Sequence, residues 1–286
     1  MQGPQAVRVG PVTAVAWPAQ TEMAAGLARA AAAPADFPGL GPFTPDSLTL
    51  IVVPDRAALD SLVRGRAPAW GAGLALPSAH TIVLRADAGD VQRTLRHELA
   101  HLALHARVRV RLPLWFDEGY AAWAAGEWER LGGLELNLAV ARGAVPDFDG
   151  LDGALRGSPA TAAAGYALAM SAVLELARRT PEGRLDPLFG RLAAGEDFDA
   201  AVLATTGLTV PRFEDVWRRS VRTRYTVVTW LVAGGAWALL AVGLIVLGGW
   251  RRRADRGRRA ALDEGWVVVE EPPETPEPLD RPPTSL

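Results

Sequence analysis

Cysteine is absent from the 286 residues. That excludes disulfides, thiolate metal sites and a cysteine nucleophile, and it leaves the redox compartment open. Lysine is absent too, so all 30 basic residues are arginine. With so much Ala, Gly and Pro, this is the composition of a GC-rich coding sequence. The net charge is only −2, which gives no electrostatic ground for a nucleic acid partner. No internal repeat is visible. Histidine is scarce, four in all, yet three of the four fall between positions 97 and 105.

What is present is a core's worth of apolar residues, 49% of the chain, enough for one large domain or two small ones. Alternation over 7–17 predicts a strand, and the runs SLTLIVVP (47–54) and HTIVL (80–84) predict two more. Helices are expected from Thr21, from Asp55 to Gly65, and over 89–108, where Asp90 caps and Val91, Leu95, Leu99 and Leu102 form a stripe. Another is expected over 114–131, where Trp115, Trp123 and Trp128 read as core. A Gly-, Asp- and Pro-rich loop follows over 132–160, then helices at 161–179, 184–194, 197–205 and 211–224. Strands first and helices later predict an α+β fold, a small N-terminal sheet with a helical C-terminal part.

From Tyr225 to Trp250 no charge interrupts 26 residues. As a helix rising about 1.5 Å per residue this run exceeds the roughly 30 Å hydrocarbon layer, so a single transmembrane helix is expected to follow the domain. Six arginines stand within Arg251–Arg259 and four within Arg218–Arg224. That asymmetry puts the C-terminal tail in the cytoplasm and the N-terminal bulk outside the cell membrane. Export then calls for a signal upstream of MQGPQAVRVG, which has neither a basic region nor an apolar one. Domain bounds of 1–222, 225–250 and 251–286 follow, the last a basic segment with a disordered Pro- and Glu-rich tail.

The chemistry concentrates in LRHELAHLALH. Residues four apart on a helix share a face, so His97 and His101 can aim two imidazoles at one zinc ion. Glu98, beside the first, can take a proton from the water on that metal. A third ligand is required. A second Gly and His downstream would mark one class of zinc site, but Leu104 and Arg107 stand there. His105 lies a turn too far along the helix and is expected at the surface or as a cap. Glu118, opening the next helix, remains; its neighbour Asp117 is expected to cap that helix.

HELAH followed by LPLWFDEGYAAW resembles the gluzincin metallopeptidases, especially bacterial proteins with a peptidase-MA-like domain. The likeness is strong over 95–123 and extends weakly over 70–220. It implies a zincin-like fold, one Zn2+ on His97, His101 and Glu118, Glu98 as base, and a peptide or protein substrate. It also implies an edge strand, His80–Leu84, beside the cleft, and an oxyanion donor, Tyr166. Two features depart from relatives of this kind. The amine-gripping acid of aminopeptidases has no counterpart in GAGLALP, and the aspartate expected four residues after the glutamate ligand is Ala122. The competing function is a membrane-anchored module that binds zinc or peptide without cleaving it; its mark would be the loss of Glu98, which is present.

Overall fold

The computed structural model describes residues 3–64, 71–127, 145–225 and 236–264. Trp128, the first part of the apolar run and the tail lie outside the described residues. The chain divides into two compact units, 1–230 and 231–286.

The first unit begins with a five-stranded mixed sheet in the order β1-β2-β5-β7-β6. β1 (Gln5–Val9) and β2 (Val12–Ala16) form a hairpin. What reads as one strand is therefore two, because Gly10 takes φ 54° and turns the chain. β2, β5 (Leu48–Val53) and β7 (Thr81–Arg85) run parallel. A separate two-stranded ribbon pairs β3 (Ala35–Phe37) with β4 (Gly41–Phe43). α1 (Thr21–Ala32) and α3 (Val91–Arg107) share a core with Leu48, Leu50 and Val52 on one face of β5. α2 (Arg56–Val63), capped by Asp55, packs with Val53 and Val83 on the other. Burial on both faces explains why β5 is a continuous apolar run.

The edge of this sheet is not where the sequence points. The strand at His80–Leu84 is observed as β7 at 81–85 and lies inside the sheet; the edge is β6 (Gly73–Leu76), antiparallel to it. Four residues bounded by glycine and proline are too short to show a period, which is why β6 escapes notice. His80 ends the intervening turn, exposed, with φ 46°.

The rest of the unit is helical. α4 (Leu114–Ala124), α5 (Phe148–Leu155), α6 (Pro159–Arg179), α7 (Asp186–Ala193), α8 (Phe198–Thr206) and α9 (Val210–Arg224) follow. α5 falls within the stretch that composition marks as loop; Asp147 caps it, and Phe148, Leu151 and Leu155 give it a buried face. Trp115 of α4 is 2% exposed and stacks on Phe148 at 4.1 Å, with Phe198 and Phe213 around it. α6 is long and apolar enough to span a membrane but is two-thirds buried among its neighbours, as a core helix. The second unit contains α10 (Ala236–Glu264), which runs unbroken through the arginine block.

Candidate metal centre

The site is built where α3 and α4 meet. Asp90 accepts the Arg93 amide at 3.0 Å and starts α3, whose leucines face the core. That fixes the rotation of the helix and turns His97 and His101 together, their ring centroids 5.0 Å apart. Their Nε2 atoms are 3.2 Å apart. Glu118 Oε2, from the first turns of α4, lies 3.5 Å from His97 Nε2 and 3.8 Å from His101 Nε2. Ligands about 2.0–2.1 Å from a tetrahedral zinc would stand roughly 3.3–3.4 Å from one another. The triangle is within a few tenths of an ångström of that spacing.

The outer nitrogens explain why the inner ones converge. Asp117 Oδ1 sits 2.8 Å from His101 Nδ1, and Glu127, in the turn after α4, places Oε1 3.1 Å from His97 Nδ1. Ionised carboxylates only accept, so each Nδ1 carries the proton and each Nε2 presents a lone pair. Asp117 is thus not the cap that its position suggests. Its second oxygen takes His105 Nε2 at 2.8 Å, so one carboxylate ties two histidines a turn apart. Ala122, where the resemblance implies an orienting aspartate, is buried. Asp117 and Glu127 do that task from sequence positions that no spacing rule indicated.

α4 is held to this job from several sides. The amide of Trp115, second in the helix, donates to Asp152 of α5 at 2.8 Å, and Tyr120 donates to the Pro38 carbonyl at 2.9 Å. Gly119, next to Glu118, lies against the backbone of α6: a Cβ there would be 2.6 Å from the Ala169 carbonyl. The same close crossing brings Tyr166 of α6 to Glu118, its hydroxyl donating to Oε2 at 2.9 Å.

Two lone pairs and a carboxylate facing one another are repulsive unless positive charge lies between them. The site's acid–base balance says the same. Burial pulls the His97 and His101 pKa down, but Glu118 and Glu127 lift His97 well above its usual range. Asp117 and Glu118 carry His101 to about 9. Burial raises Glu98, against the opposing pull of the two histidines. Glu118 is held below its usual value, since His97 and His101 outweigh its burial. The donor set therefore fits a divalent cation. His97, His101 and Glu118 form one group able to hold it. A second candidate group, His101, His105 and Asp117, shares His101. Its contacts are ordinary hydrogen bonds that consume the Nδ1 proton.

Glu98 is buried one residue from His97 and takes a hydrogen bond from the Ala75 backbone of β6. Gly73 of that strand lies so close that a Cβ would be 2.9 Å from Glu98 Oε1. A cleft of about 620 Å³ opens here between β6, α3 and the first half of α6. His97, Glu98, His101, Glu118 and Tyr166 all line it; His80 does not. Trp123 is only half-buried. No curated protein matches the chain. A family model described as Peptidase MA superfamily matches residues 48–223, from β5 through α9 and more than half of the length. With that match and the His–His–Glu group both in place, the chain belongs to the Peptidase MA superfamily and is a metallopeptidase hydrolase, with a peptide substrate.

Proposed function

We propose that the protein is a membrane-anchored zinc metallopeptidase, with its peptidase domain at 1–222, a membrane anchor at 225–250 and a basic segment and tail at 251–286. The observation that carries the reading is the triangle of His97 Nε2, His101 Nε2 and Glu118 Oε2, 3.2 to 3.8 Å on a side, with Glu98 beside it. One zinc ion held there would supply a Lewis acid and a lowered pKa for water.

The chain's own residues do the remainder. Glu98, its pKa raised by burial, takes the proton of the attacking water and delivers it to the leaving amine. Tyr166 keeps its phenol proton, since burial and the charge of Glu118 raise its pKa well above the usual value. Turning from Glu118 to the substrate, it donates to the carbonyl oxygen as negative charge develops. The outward backbone groups of β6 pair with an extended substrate, adding a strand to the sheet edge.

Anchoring rests on α10. Trp237, Leu239, Ile245 and Trp250 are each more than 70% exposed, and large apolar side chains are bare along the whole stretch between the two tryptophans. A helix apolar all round needs a nonpolar surrounding. The arginine block after it supports a cytoplasmic tail and a peptidase domain outside.

The test is digestion of a peptide library by the full chain, with and without a chelator, alongside metal analysis. The reading expects cleavage that the chelator abolishes and about one equivalent of bound zinc. Protein without bound metal and without cleavage would overturn it.

A further inference from the structure

The cleft treats the two signs of charge differently. Five carboxylates line it, and each already has partners. Asp90 caps α3, Asp117 ties His101 and His105, and Glu127 holds His97. Glu118 faces both Nε2 atoms, and Glu98 is buried against β6. A substrate ammonium finds no uncommitted acid among these described residues. For an anion, the described residues lining the cleft offer one guanidinium, that of Arg93.

Arg93 stands on the metal-facing side of α3, one turn before His97, in the series 93, 97, 101, 105. A third of its side chain is exposed, and its ion pair with half-exposed Asp90 is long, at 3.5 Å. A pair so open and so long contributes little and exchanges readily. One helical turn advances about 5–6 Å, and helical side chains lean toward the N-terminus. The guanidinium therefore lies roughly 6–10 Å from the metal position, two or three residues along an extended peptide at about 3.3 Å each. Direction follows from β6. Its Gly73 end lies beside Thr94 and Glu98, the Arg93 end of the cleft. Antiparallel pairing, the more stable mode, brings the C-terminal side of the substrate there.

We propose that Arg93 is a specificity-determining residue that takes a carboxylate on the C-terminal side of the scissile bond, two or three residues away. The carboxylate is a free C-terminus or an Asp or Glu side chain. The inference rests on the peptidase reading and gives it a substrate class.

The experiment compares matched peptides cut by the full chain: free acid against C-terminal amide, and Asp against Asn at the second and third positions after the cleaved bond. The parent is expected to favour one carboxylate form by 10- to 100-fold in kcat/KM, and the arm that responds identifies its source. Arg93→Gln should erase that preference while neutral peptides and zinc content stay at parent levels. Arg93→Lys should retain part of it and guards against a folding defect. Equal rates for acid and neutral peptides in the parent, or a preference that survives Arg93→Gln, would overturn the proposal. Binding of the same peptides to zinc-loaded Glu98→Gln separates the two readings. If nothing is cleaved yet carboxylate-dependent binding is lost in Glu98→Gln/Arg93→Gln, the peptidase reading fails and the Arg93 subsite stands. If binding is blind to the carboxylate, the subsite fails.

Discussion

Two clusters of buried and half-buried acids lie beside α6, about two and a half turns apart. At Glu175 the carboxylate is nearly inaccessible, and Arg178 and Arg179 bond it at 2.9 and 2.7 Å. Ser220 and Arg224 of α9 approach from the other side, at 3.2 and 3.7 Å. At Tyr166 the acids are Glu118, Glu98, Asp117 and Glu127, and among the described residues the side chains that hydrogen-bond them are imidazoles and one phenol. A buried charge must be compensated. Permanent cations do this at Glu175 and thereby join two helices. At the other cluster the described partners are imidazoles, and the His97, His101 and Glu118 group could hold a cation from outside the chain. The same physical demand thus yields a structural joint in one place and a metal centre in the other.

The comparison breaks first at Glu98 and His97. Glu98→Gln keeps the ligand set and removes the base, so zinc should stay near one equivalent while kcat falls about 10²- to 10⁴-fold. His97→Ala should lose both metal and turnover. Peptide cleavage and metal analysis on the same preparations check this; full turnover by Glu98→Gln would remove it from the mechanism.

Gly119→Ala comes next. Its methyl would meet the Ala169 backbone at 2.6 Å, so α4 has to move off α6. A cost of about 1–3 kcal/mol is expected, read as a fall in Tm of roughly 2–4 °C per kcal/mol, with a loss of zinc affinity because Glu118 moves with the helix. An alanine variant with parent stability and affinity would mean that the close crossing does not position the ligand.

These two effects separate what sequence can reveal from what it cannot. His97, Glu98 and His101 were legible because one helix's own period places them. Glu118 was legible through the segment LPLWFDEGYAAW that follows HELAH and the resemblance it carries, with its neighbour Asp117 set aside as a cap. Asp117 sat in plain view, yet its partners depend on how α4 rotates, and that is set by Trp115, Gly119 and Tyr120 packing against α5, α6 and the β3–β4 connection. Glu127, thirty residues from His97, belongs to the same class. The sheet was legible through β5 and β7, whose apolar runs are buried on both faces. β6 was not, because its role comes from lying on the edge, a property of the assembled sheet. α6 is long and apolar enough to cross a membrane yet is packed by its neighbours, while the described part of the uncharged run at 225–250 is bare.

Smaller changes sharpen the contrast at the outer nitrogens. Asp117→Asn and Glu127→Gln leave the three proposed ligands in place and weaken what orients them. Each should lower zinc affinity about 10- to 100-fold in chelator competition, and Asp117→Asn should also free His105. An unchanged affinity in both would show that helix packing alone aims the rings.

The smallest effect lies at the structural joint. Burial alone would raise the Glu175 pKa, but the guanidiniums of Arg179 and Arg178 outweigh it and hold the group below the usual carboxylate range. A folded-state pKa below the unfolded one contributes stability that is complete above the unfolded value, about 4.3, and is lost as pH falls through the lower folded value. Thermal melts between pH 7 and pH 3 should therefore show a component of acid destabilisation that Glu175→Gln lacks, amounting to a few degrees of Tm. That component should be indifferent to chelator, because no exchangeable cation takes part in it. If chelator changed the acid sensitivity of the parent and of Glu175→Gln alike, the loss would belong to the metal centre, and the two clusters would not divide the labour as their partners indicate.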